Sequence, residues 1–315
     1  MDIAVIVPAE RLLEKIFLPT YNACAMSNES LTQPFFAEAI AIVGVGLLGG
    51  SLGAAIKSNR LARHVVGIGR NPERLQAAQA AGQIDSWSTD AADVVGQTDL
   101  IIFCTPVDRI ADGIRGIASA CGPETLITDV GSIKTAICDE LSTGLPSSVA
   151  FIGSHPLAGS EKQGFENARA NLFDGSVCVV TPDVGADPIQ VGRLIAFWTA
   201  LGANVVEMSA ADHDRLLAQT SHVPHVVAAA LASQLSDSNR HLAATGFRDT
   251  TRIAAGDPNL WVEILLGNAA NVRDSVDELA EQLTQFRQAI ANRDSAALKK
   301  LLQVAKTNRD ALGSQ

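Results

Sequence analysis

The chain has 315 residues, enough for two domains, and 47% of them are hydrophobic while 18% are charged. This composition argues against a disordered protein. The formal net charge is −10, without a long run of Lys or Arg, so a general nucleic-acid binder is not expected. The five cysteines are odd in number and form no Cys-x-x-Cys pair. They argue against a disulfide framework or zinc site and favour a reducing cytoplasm.

Two uncharged stretches have the length of a membrane span but not its composition. Residues 39–56 contain five glycines, and residues 216–236 contain His222, Pro224 and His225. Both suit the interior of a folded protein better than lipid. No secretory signal opens the sequence. We therefore expect a cytoplasmic protein without a membrane partner.

Residues 1–37 differ from the rest of the chain. They contain Pro19 and Pro34 and show little periodic apolar pattern, so we expect a poorly ordered extension. Met26 is as sensible a start for the protein as Met1, because folded patterning begins only near residue 40.

From residue 40, short β-branched runs alternate with amphipathic stretches such as residues 72–81 and 133–141. This alternation predicts a mostly parallel, doubly wound sheet within an α/β domain over residues 38–208. The predicted strands are residues 40–43, 65–68, 100–104, 126–129, 149–153, 177–181 and 204–207.

After residue 209 the pattern becomes helical. Residues 211–235, 260–283 and 295–312 carry apolar side chains at helical spacing, and Asp294 is placed to cap the last of these helices. We expect an all-helical second domain over residues 209–315.

Three glycines stand between the first predicted strand and a helix predicted for residues 50–58. Gly44 permits a tight turn, Gly46 lets the backbone approach a pyrophosphate, and Gly49 allows the helix to pack closely on the strand. The helix N-terminus supplies amide donors. The context predicts a Rossmann-like dinucleotide-binding domain. The predicted cofactor-binding residues are Gly44, Gly46, Leu47, Leu48, Gly49, Arg70, Thr105 and Pro106.

The end of the second strand predicts which cofactor is preferred. Dinucleotide folds that prefer NAD carry an acidic residue about 20 positions beyond the glycine motif, which binds the ribose 2′-hydroxyl. Here Gly69 stands at that place and Arg70 follows. A glycine leaves room for a 2′-phosphate and the arginine can pair with it, although Arg70 also fits an ordinary solvated loop. We predict NADP as the preferred cofactor and NAD as the alternative.

Four histidines fall in short motifs. His155 follows a buried strand, at the carboxyl end where open α/β sheets bind ligands. His213, His222 and His225 lie nine and three residues apart on roughly one helical face, given a kink at Pro224. Core histidines bonded to neighbours are the plain alternative, but three on one uncharged helix favour a polar pocket. These histidines and their neighbours do not form a recognised metal-binding motif, so no metal is expected.

Arg248 and Arg252 lie in a polar insert at residues 246–254. An arginine facing a dinucleotide site can recognise a carboxylate through its planar, two-pronged guanidinium group. A surface or helix-capping role fits either residue, and the pattern alone does not choose between them.

Six motifs in this order resemble the prephenate/arogenate dehydrogenase family of tyrosine biosynthesis, over residues 40–268. The motifs are Gly44-x-Gly-x-x-Gly49, Asp129-Val-Gly-Ser-Ile-Lys134, Gly153-Ser-His-Pro-Leu-Ala-Gly-Ser-Glu-Lys162, Ser221-His-Val-Pro-His225, Gly246-Phe-Arg-Asp-Thr-Thr-Arg-Ile-Ala254 and Asp257-Pro-Asn-Leu-Trp261. The resemblance implies an oxidative decarboxylation. A hydride passes from the carbinol carbon of a cyclohexadienol to nicotinamide, and CO2 leaves as the ring becomes aromatic.

The resemblance also implies roles for single residues. His155 matches the catalytic histidine that takes the proton of the ring hydroxyl, for which an unperturbed pKa near 6.5 is suitable. Ser132, expected at a helix start, matches the serine that orients the hydroxyl and this histidine. Arg252, rather than Arg248, matches the arginine that binds the substrate carboxylate. The other implied substrate-binding residues are His213, His222, His225 and Glu161.

Glu161 bears on the choice of substrate. It matches an acidic position at the mouth of the family's site, where it could pair with the ammonium group of arogenate. A solvated loop carboxylate is the plain alternative. The resemblance therefore leaves prephenate, arogenate or both as substrates.

The resemblance further implies a homodimer through the helical domain, and the uncharged residues 216–236 suit burial in such an interface. The 47 helix-patterned residues after Asn268 leave no room for a regulatory ACT domain, and no chorismate mutase domain is indicated at either end.

Two other functions remain open at this point. A dehydrogenase of the β-hydroxyacid or imine-reducing kind would use a lysine on the first interdomain helix, and the histidine-rich residues 221–225 speak against it. A non-catalytic NAD(P)-binding sensor would keep residues 44–49 but would not need Ser132, His155 and Arg252 together.

Overall fold

A parallel sheet forms the centre of the first half of the chain in the computed structural model, which describes residues 35–159 and 164–313. Its six strands follow the order β3-β2-β1-β4-β5-β6. The order reverses between β1 and β4, as in doubly wound dinucleotide folds, so the predicted fold class is confirmed. The strands are β1 (Ala37–Val43), β2 (Ala62–Ile68), β3 (Ser86–Ser88), β4 (Leu100–Phe103), β5 (Thr125–Asp129) and β6 (Val149–Phe151).

Helices cover the two faces of this sheet. Ile40 and Ile42 of β1 belong to one apolar core and Ala41 to another, so both faces of the strand are buried. Strands β4 and β5 are buried along their whole length. The helices are α1 (Leu47–Ser58), α2 (Pro72–Ala80), α3 (Ile110–Ala118), α4 (Thr135–Leu141) and α5 (Pro188–Ala200).

A second, smaller sheet follows β6. It contains β7 (Gly153–Pro156), β8 (Val177–Thr181) and β9 (Asn204–Glu207), with β7 antiparallel to β8 and β8 parallel to β9. The single strand predicted for residues 149–153 is therefore wrong, because the chain passes from one sheet to the other at Ile152. No periodicity could mark this division, since both pieces are buried and short.

Two further boundaries differ from the prediction. Strand β1 begins at Ala37 rather than residue 40, and Phe35 before it already packs in the core. Strand β3 was not predicted, because three residues with one apolar side chain are too short to show a period. The predicted N-terminal extension falls largely on residues 1–34, outside the described residues.

The second half is built from helices, and no strand follows β9 within residues 208–313. Asp294 caps the last helix as predicted, its carboxylate accepting from the Ala297 amide at 2.9 Å. No helix in the described ranges is long and apolar enough to cross a membrane. The helices are α6 (Ala210–Leu217), α7 (Val223–Ala232), α8 (Thr245–Thr251), α9 (Pro258–Gly267), α10 (Ala269–Ala291) and α11 (Ser295–Asp310).

A π-helical turn over Ala218–His222 joins α6 to α7. Pro224, in the first turn of α7, has no amide to donate to the carbonyl of Thr220. The kink predicted at Pro224 therefore takes the form of a wider turn just before the proline. Such turns insert an extra residue and change which side chains share a helix face.

Candidate active site

The predicted cofactor residues meet at the carboxyl edge of the central sheet. Val43, the last residue of β1, pairs with Ile68 at the end of β2 and with Phe103 at the end of β4. Gly44, Gly69 and Cys104 follow these three residues directly, so the segments that contain Arg70 and Thr105 leave the sheet beside the glycine turn. This edge is where doubly wound sheets bind ligands.

Each glycine of the turn is required for a different reason. Gly44 has φ +97, and a Cβ there would lie 2.7 Å from the carbonyl oxygen of Cys104. A Cβ on Gly49 would lie 2.1 Å from the carbonyl oxygen of Gly44. A Cβ on Gly46 would meet nothing within 4 Å. Two glycines thus allow close packing inside the protein, and the third leaves its outer face open to a ligand.

Helix α1 begins at Leu47, three residues before the predicted start, and Gly46 is its N-cap. No side chain caps this end. The first-turn residues Leu47, Leu48 and Gly49 therefore present amide groups that can bind a pyrophosphate.

Thr105 gives independent support for a ligand at this edge. Its hydroxyl oxygen is buried and has no hydrogen-bond partner among the described residues. A Cβ on Gly44 would lie 3.2 Å from the Thr105 amide nitrogen, so the hydroxyl belongs to the wall of the glycine turn. Pro106 follows it and is exposed. A buried polar atom without a partner costs stability unless a ligand satisfies it. The residues at this edge therefore fit a dinucleotide.

His155 was predicted to follow a buried strand at its carboxyl end, but it lies within a strand of the second sheet, as the third residue of β7. The preceding Ser154 is fully buried and fixes its position. The Ser154 hydroxyl donates to the Asp129 carbonyl at 2.7 Å and accepts from the Trp198 indole at 3.1 Å. The Ser154 carbonyl accepts from Lys134 Nζ at 3.0 Å. His155 is therefore held on a rigid support.

A buried ion pair stabilises this support. The side chains of Asp129 and Lys134 are both fully buried and form an ion pair. Asp129 also accepts from the Gly131 amide at 2.8 Å and the Ser154 amide at 3.2 Å. Breaking such a pair costs about 3–5 kcal/mol, because one charge is left buried without a partner. The motif at residues 129–134 thus links β5 to β7.

His155 begins a line of three hydrogen-bonded side chains. Its Nδ1 lies 2.8 Å from Nε2 of His213. Nδ1 of His213 lies 2.7 Å from a carboxylate oxygen of Asp214. The same carboxylate accepts from the backbone amides of Lys134 at 2.8 Å and Thr135 at 2.9 Å. A carboxylate from α6 therefore connects the start of α4 with His155.

Burial and neighbouring groups shift the pKa values of His155 and Asp214. Burial, together with the neighbouring His213 and Lys134, lowers the pKa of His155 well below 6.5. The expected unperturbed pKa is therefore wrong, and His155 is neutral at neutral pH. Burial alone would raise the pKa of Asp214, but hydrogen bonds from His213 and Thr135 hold it below its usual value. Asp214 is ionised.

His222 and His225 lie along the same helical segment with other partners. His222 Nδ1 lies 3.2 Å from the side-chain nitrogen of Asn268, and burial lowers the pKa of His222 to about 4. His225 stacks on Trp261 with ring centroids 3.5 Å apart. Its Nδ1 is buried without a partner among the described residues. The histidines form a polar wall that keeps unsatisfied hydrogen-bonding capacity.

The structure distinguishes the two arginines of the polar insert. Arg248, in α8, donates from Nε to the Ala243 carbonyl at 3.2 Å. Arg252 begins the 3-10 turn Arg252–Ala255 and is exposed, and its guanidinium has no hydrogen bond or ion pair within the described ranges. The turn packs on α7. Gly256, which follows this turn, lies so close to His225 that a Cβ on it would be 3.3 Å from the imidazole ring.

Two predicted residues are not joined to this line. Ser132 is half-buried in the loop after β5, three residues before α4 rather than at its start, and has no hydrogen bond to His155. Glu161 lies outside the described residues. Within those that are described, no group of three His, Cys, Asp or Glu side chains is placed to hold a metal ion.

The fold and the site define a dinucleotide-dependent dehydrogenase, with a nucleotide turn at the carboxyl edge of a doubly wound sheet and a neutral histidine on β7 of the second sheet. Residues 52–207 match the family domain described as "Prephenate dehydrogenase, nucleotide-binding domain". Residues 209–304 match "Prephenate dehydrogenase, dimerization domain". The chain belongs to the prephenate dehydrogenase family, which decides against the β-hydroxyacid and imine-reducing alternatives.

Individual relatives agree with this assignment. The chain is 36% identical to prephenate dehydrogenase of Bacillus subtilis, over 87% of this chain and 76% of the relative. The structure of prephenate dehydrogenase from A. aeolicus, in complex with hydroxyphenyl propionate and NAD+, has a TM-score of 0.81 and 29% identity, over 87% of this chain and 98% of the other. Synechocystis arogenate dehydrogenase has a TM-score of 0.76 and 32% identity, over 87% and 99% of the two chains.

Sequence reasoning missed Asp214, Asn268 and Trp261 as parts of the site. Asp214 follows His213 directly, and a carboxylate beside a site histidine is the one local feature that could have pointed to it. The roles of Asn268 and Trp261 depend on contacts with His222 and His225 across the helical domain. No sequence period reports such contacts.

Proposed function

We propose that the chain catalyses the NAD(P)-dependent oxidative decarboxylation of prephenate to 4-hydroxyphenylpyruvate. The observation that carries the proposal is the neutral His155 on β7, hydrogen-bonded to His213 and through it linked to Asp214. The names of the relatives support it, because prephenate dehydrogenase of Bacillus subtilis covers most of this chain.

The bound cofactor supplies a hydride acceptor for the carbinol carbon of the substrate. His155 accepts the proton of the ring hydroxyl, so the carbon–oxygen bond gains carbonyl character as the hydride leaves. The bond to the ring carboxylate then breaks, CO2 departs, and its electron pair makes the ring aromatic. His155 returns its proton to the ring oxygen, which gives the phenol.

Other side chains bind and orient the substrate in this proposal. Arg252 pairs with a substrate carboxylate through its guanidinium group. His222 accepts from Asn268 at Nδ1, so its neutral ring carries a proton on Nε2 that it can donate. His225 and Trp261 form an aromatic wall. We also propose that Ser132 orients the ring hydroxyl and that Glu161 pairs with the ammonium group when arogenate is the substrate.

Formation of reduced cofactor tests this function and its substrate. Prephenate is supplied first and arogenate second, at equal enzyme concentration, and the products are separated by chromatography. We expect turnover of prephenate to 4-hydroxyphenylpyruvate. If only arogenate is turned over, arogenate rather than prephenate is the substrate. If neither compound is turned over, the non-catalytic sensor is favoured.

We further propose that NADP is preferred over NAD. Gly69 follows β2 at the position where folds that prefer NAD carry a carboxylate, which would repel a 2′-phosphate. Its amide donates to the Ser88 carbonyl at 3.3 Å. Arg70 is exposed and makes no hydrogen bond or ion pair in the described part of the chain. Its guanidinium is available to a phosphate.

The double variant Gly69→Asp, Arg70→Ile is expected to shift the preference toward NAD. A Cβ on Gly69 would lie 3.3 Å from the flexible end of Leu75, so the change is compatible with the fold. Loss of a charge-assisted bond is worth about 1.5–3 kcal/mol, or roughly tenfold to a hundredfold in the ratio of kcat/KM values. The single variant Arg70→Lys, which retains the charge, is the control. A wild-type enzyme that favours NAD tenfold would contradict the proposal.

A homodimer through the helical domain is also proposed. Among the described residues, helices α9 to α11 expose large apolar side chains, which a second copy of the chain would cover. Light scattering on the purified protein should give about twice the chain mass of 33.0 kDa. A stable monomer at micromolar concentration would contradict this. The exposed apolar residues are Leu260, Val262, Leu266, Leu283, Ile290 and Leu302.

A further inference from the structure

We infer that Asp214 acts through His213 to fix the tautomer of His155, with the proton on Nδ1 and the lone pair on Nε2. Asp214 and His213 are thus positioning residues for the proposed base. His213, predicted to bind substrate, is instead fully buried, and both its ring nitrogens are engaged in this line. The inference stands on the line of hydrogen bonds from the carboxylate through the two imidazoles.

The first step is the protonation of His213. An ionised carboxylate can only accept hydrogen bonds. The carboxylate of Asp214 already accepts from two backbone amides at the start of α4, which hold it in place. Nδ1 of His213, 2.7 Å away, must therefore carry the proton of that contact. Both side chains are buried, so water does not compete for the bond.

The second step derives the tautomer of His155 from the position of the proton on His213. With both rings neutral, His213 protonated on Nδ1 has its lone pair on Nε2. Nε2 of His213 is then the acceptor in the 2.8 Å contact, and Nδ1 of His155 is the donor. In the neutral ring of His155 the remaining nitrogen, Nε2, carries no proton. That nitrogen is the one free to accept a proton from a ligand.

The same geometry acts after proton transfer. A protonated His155 continues to donate from Nδ1 to His213, and the negative charge of Asp214 lies at the far end of the line. The arrangement parallels the carboxylate that holds a catalytic imidazole in its correct tautomer and stabilises the cation that forms. Here a second imidazole stands between the two groups.

The line also connects the two halves of the protein. His213 and Asp214 belong to α6, His155 to β7, and the anchoring amides to the start of α4. The Asp214 carbonyl accepts from the Asn268 side chain at 2.7 Å, just before α10. The tautomer of His155 therefore depends on how the helical half is seated against the nucleotide-binding half.

Two variants of His213 separate this role from simple packing. In His213→Gln the side-chain oxygen can take the place of Nε2 as acceptor from His155, whereas His213→Leu removes the acceptor. We expect the Leu variant to lower kcat at least about tenfold with little change in KM, and the Gln variant to recover most of kcat. Thermal melts of both variants report any loss of packing.

The direct measurement is nitrogen NMR of the free protein labelled at histidine, with the His155 signals assigned by their absence from His155→Asn. We expect Nε2 of His155 to be unprotonated in the wild type and in the Gln variant. In the Leu variant we expect a mixture of both tautomers. A wild-type His155 protonated on Nε2, or an unchanged tautomer in the Leu variant, would overturn the inference.

The use of Nε2 as a base rests on the proposed function, but the tautomer does not. If the wild-type enzyme turns over neither prephenate nor arogenate while the NMR result is as expected, the function fails and the tautomer assignment stands. If turnover is normal and the tautomer is the opposite one, the inference alone fails.

Discussion

The variant His155→Asn should lose turnover of prephenate by roughly 10²–10⁴-fold, the usual contribution of a positioned general base. Cofactor affinity should change little, because the glycine turn at residues 44–49 is formed by the chain between β1 and the first turn of α1 and does not include β7. Asn is polar and smaller than His, so the support built on Ser154 is retained. The measurements are kcat with prephenate and the dissociation constant of the cofactor by fluorescence titration.

His64→Asn is a suitable control for this variant. His64 is an exposed histidine of β2, and its Nε2 lies 2.8 Å from the Ser86 hydroxyl, away from the carboxyl edge of the sheet. The same substitution there should leave kcat unchanged. A His155→Asn enzyme with near-wild-type kcat would exclude His155 as the base.

The pH dependence of activity tests whether the pKa of His155 is lowered. A base must be neutral in the free enzyme, and burial lowers the pKa of His155 well below 6.5. Activity is therefore present above this lowered pKa and is lost as the pH falls through it. We expect kcat/KM for prephenate to stay level as the pH falls through 6.5 and to decline only at more acidic pH. A decline centred at or above 6.5 would contradict the lowered pKa.

The sequence alone predicts those features whose physical constraints involve residues close together in the chain. The glycine turn depends on φ at Gly44 and on contacts of a missing Cβ within a few residues or the next strand, so the residue types predict it. The caps follow the same logic, as Asp294 shows. The mostly parallel, doubly wound sheet follows from the alternation of strands and helices along the chain.

The sequence alone does not predict those features of the site that depend on contacts between residues far apart in the chain. His155 and His213 are 58 positions apart, and Asp214 and Lys134 are 80 apart. The lowered pKa of His155 depends on burial by elements from both halves of the chain, which no local pattern encodes. The passage from β6 to β7 at Ile152 is a further example, since a continuous apolar run contains no sign of a change of sheet.

The variant Arg252→Gln should act on substrate capture and raise KM for prephenate. The guanidinium of Arg252 has no hydrogen bond or ion pair in the described ranges, so substrate binding does not first have to break one. A charge-assisted contact to a carboxylate is worth about 1.5–3 kcal/mol, which corresponds to roughly a tenfold to hundredfold rise in KM. The value of kcat should fall less, because the contact exists before and during hydride transfer.

Arg248→Gln is the matched control, since it makes the same substitution four residues earlier in the same polar insert. Arg248 already donates to the Ala243 carbonyl at the start of its own helix, and its loss removes a local bond rather than a ligand contact. Initial-rate kinetics with prephenate should therefore show a near-wild-type KM for this variant. If Arg248→Gln raises KM and Arg252→Gln does not, the assignment of the carboxylate-binding arginine is reversed. That result would also move the substrate away from the turn that packs against His225 and Trp261, because only Arg252 belongs to that turn.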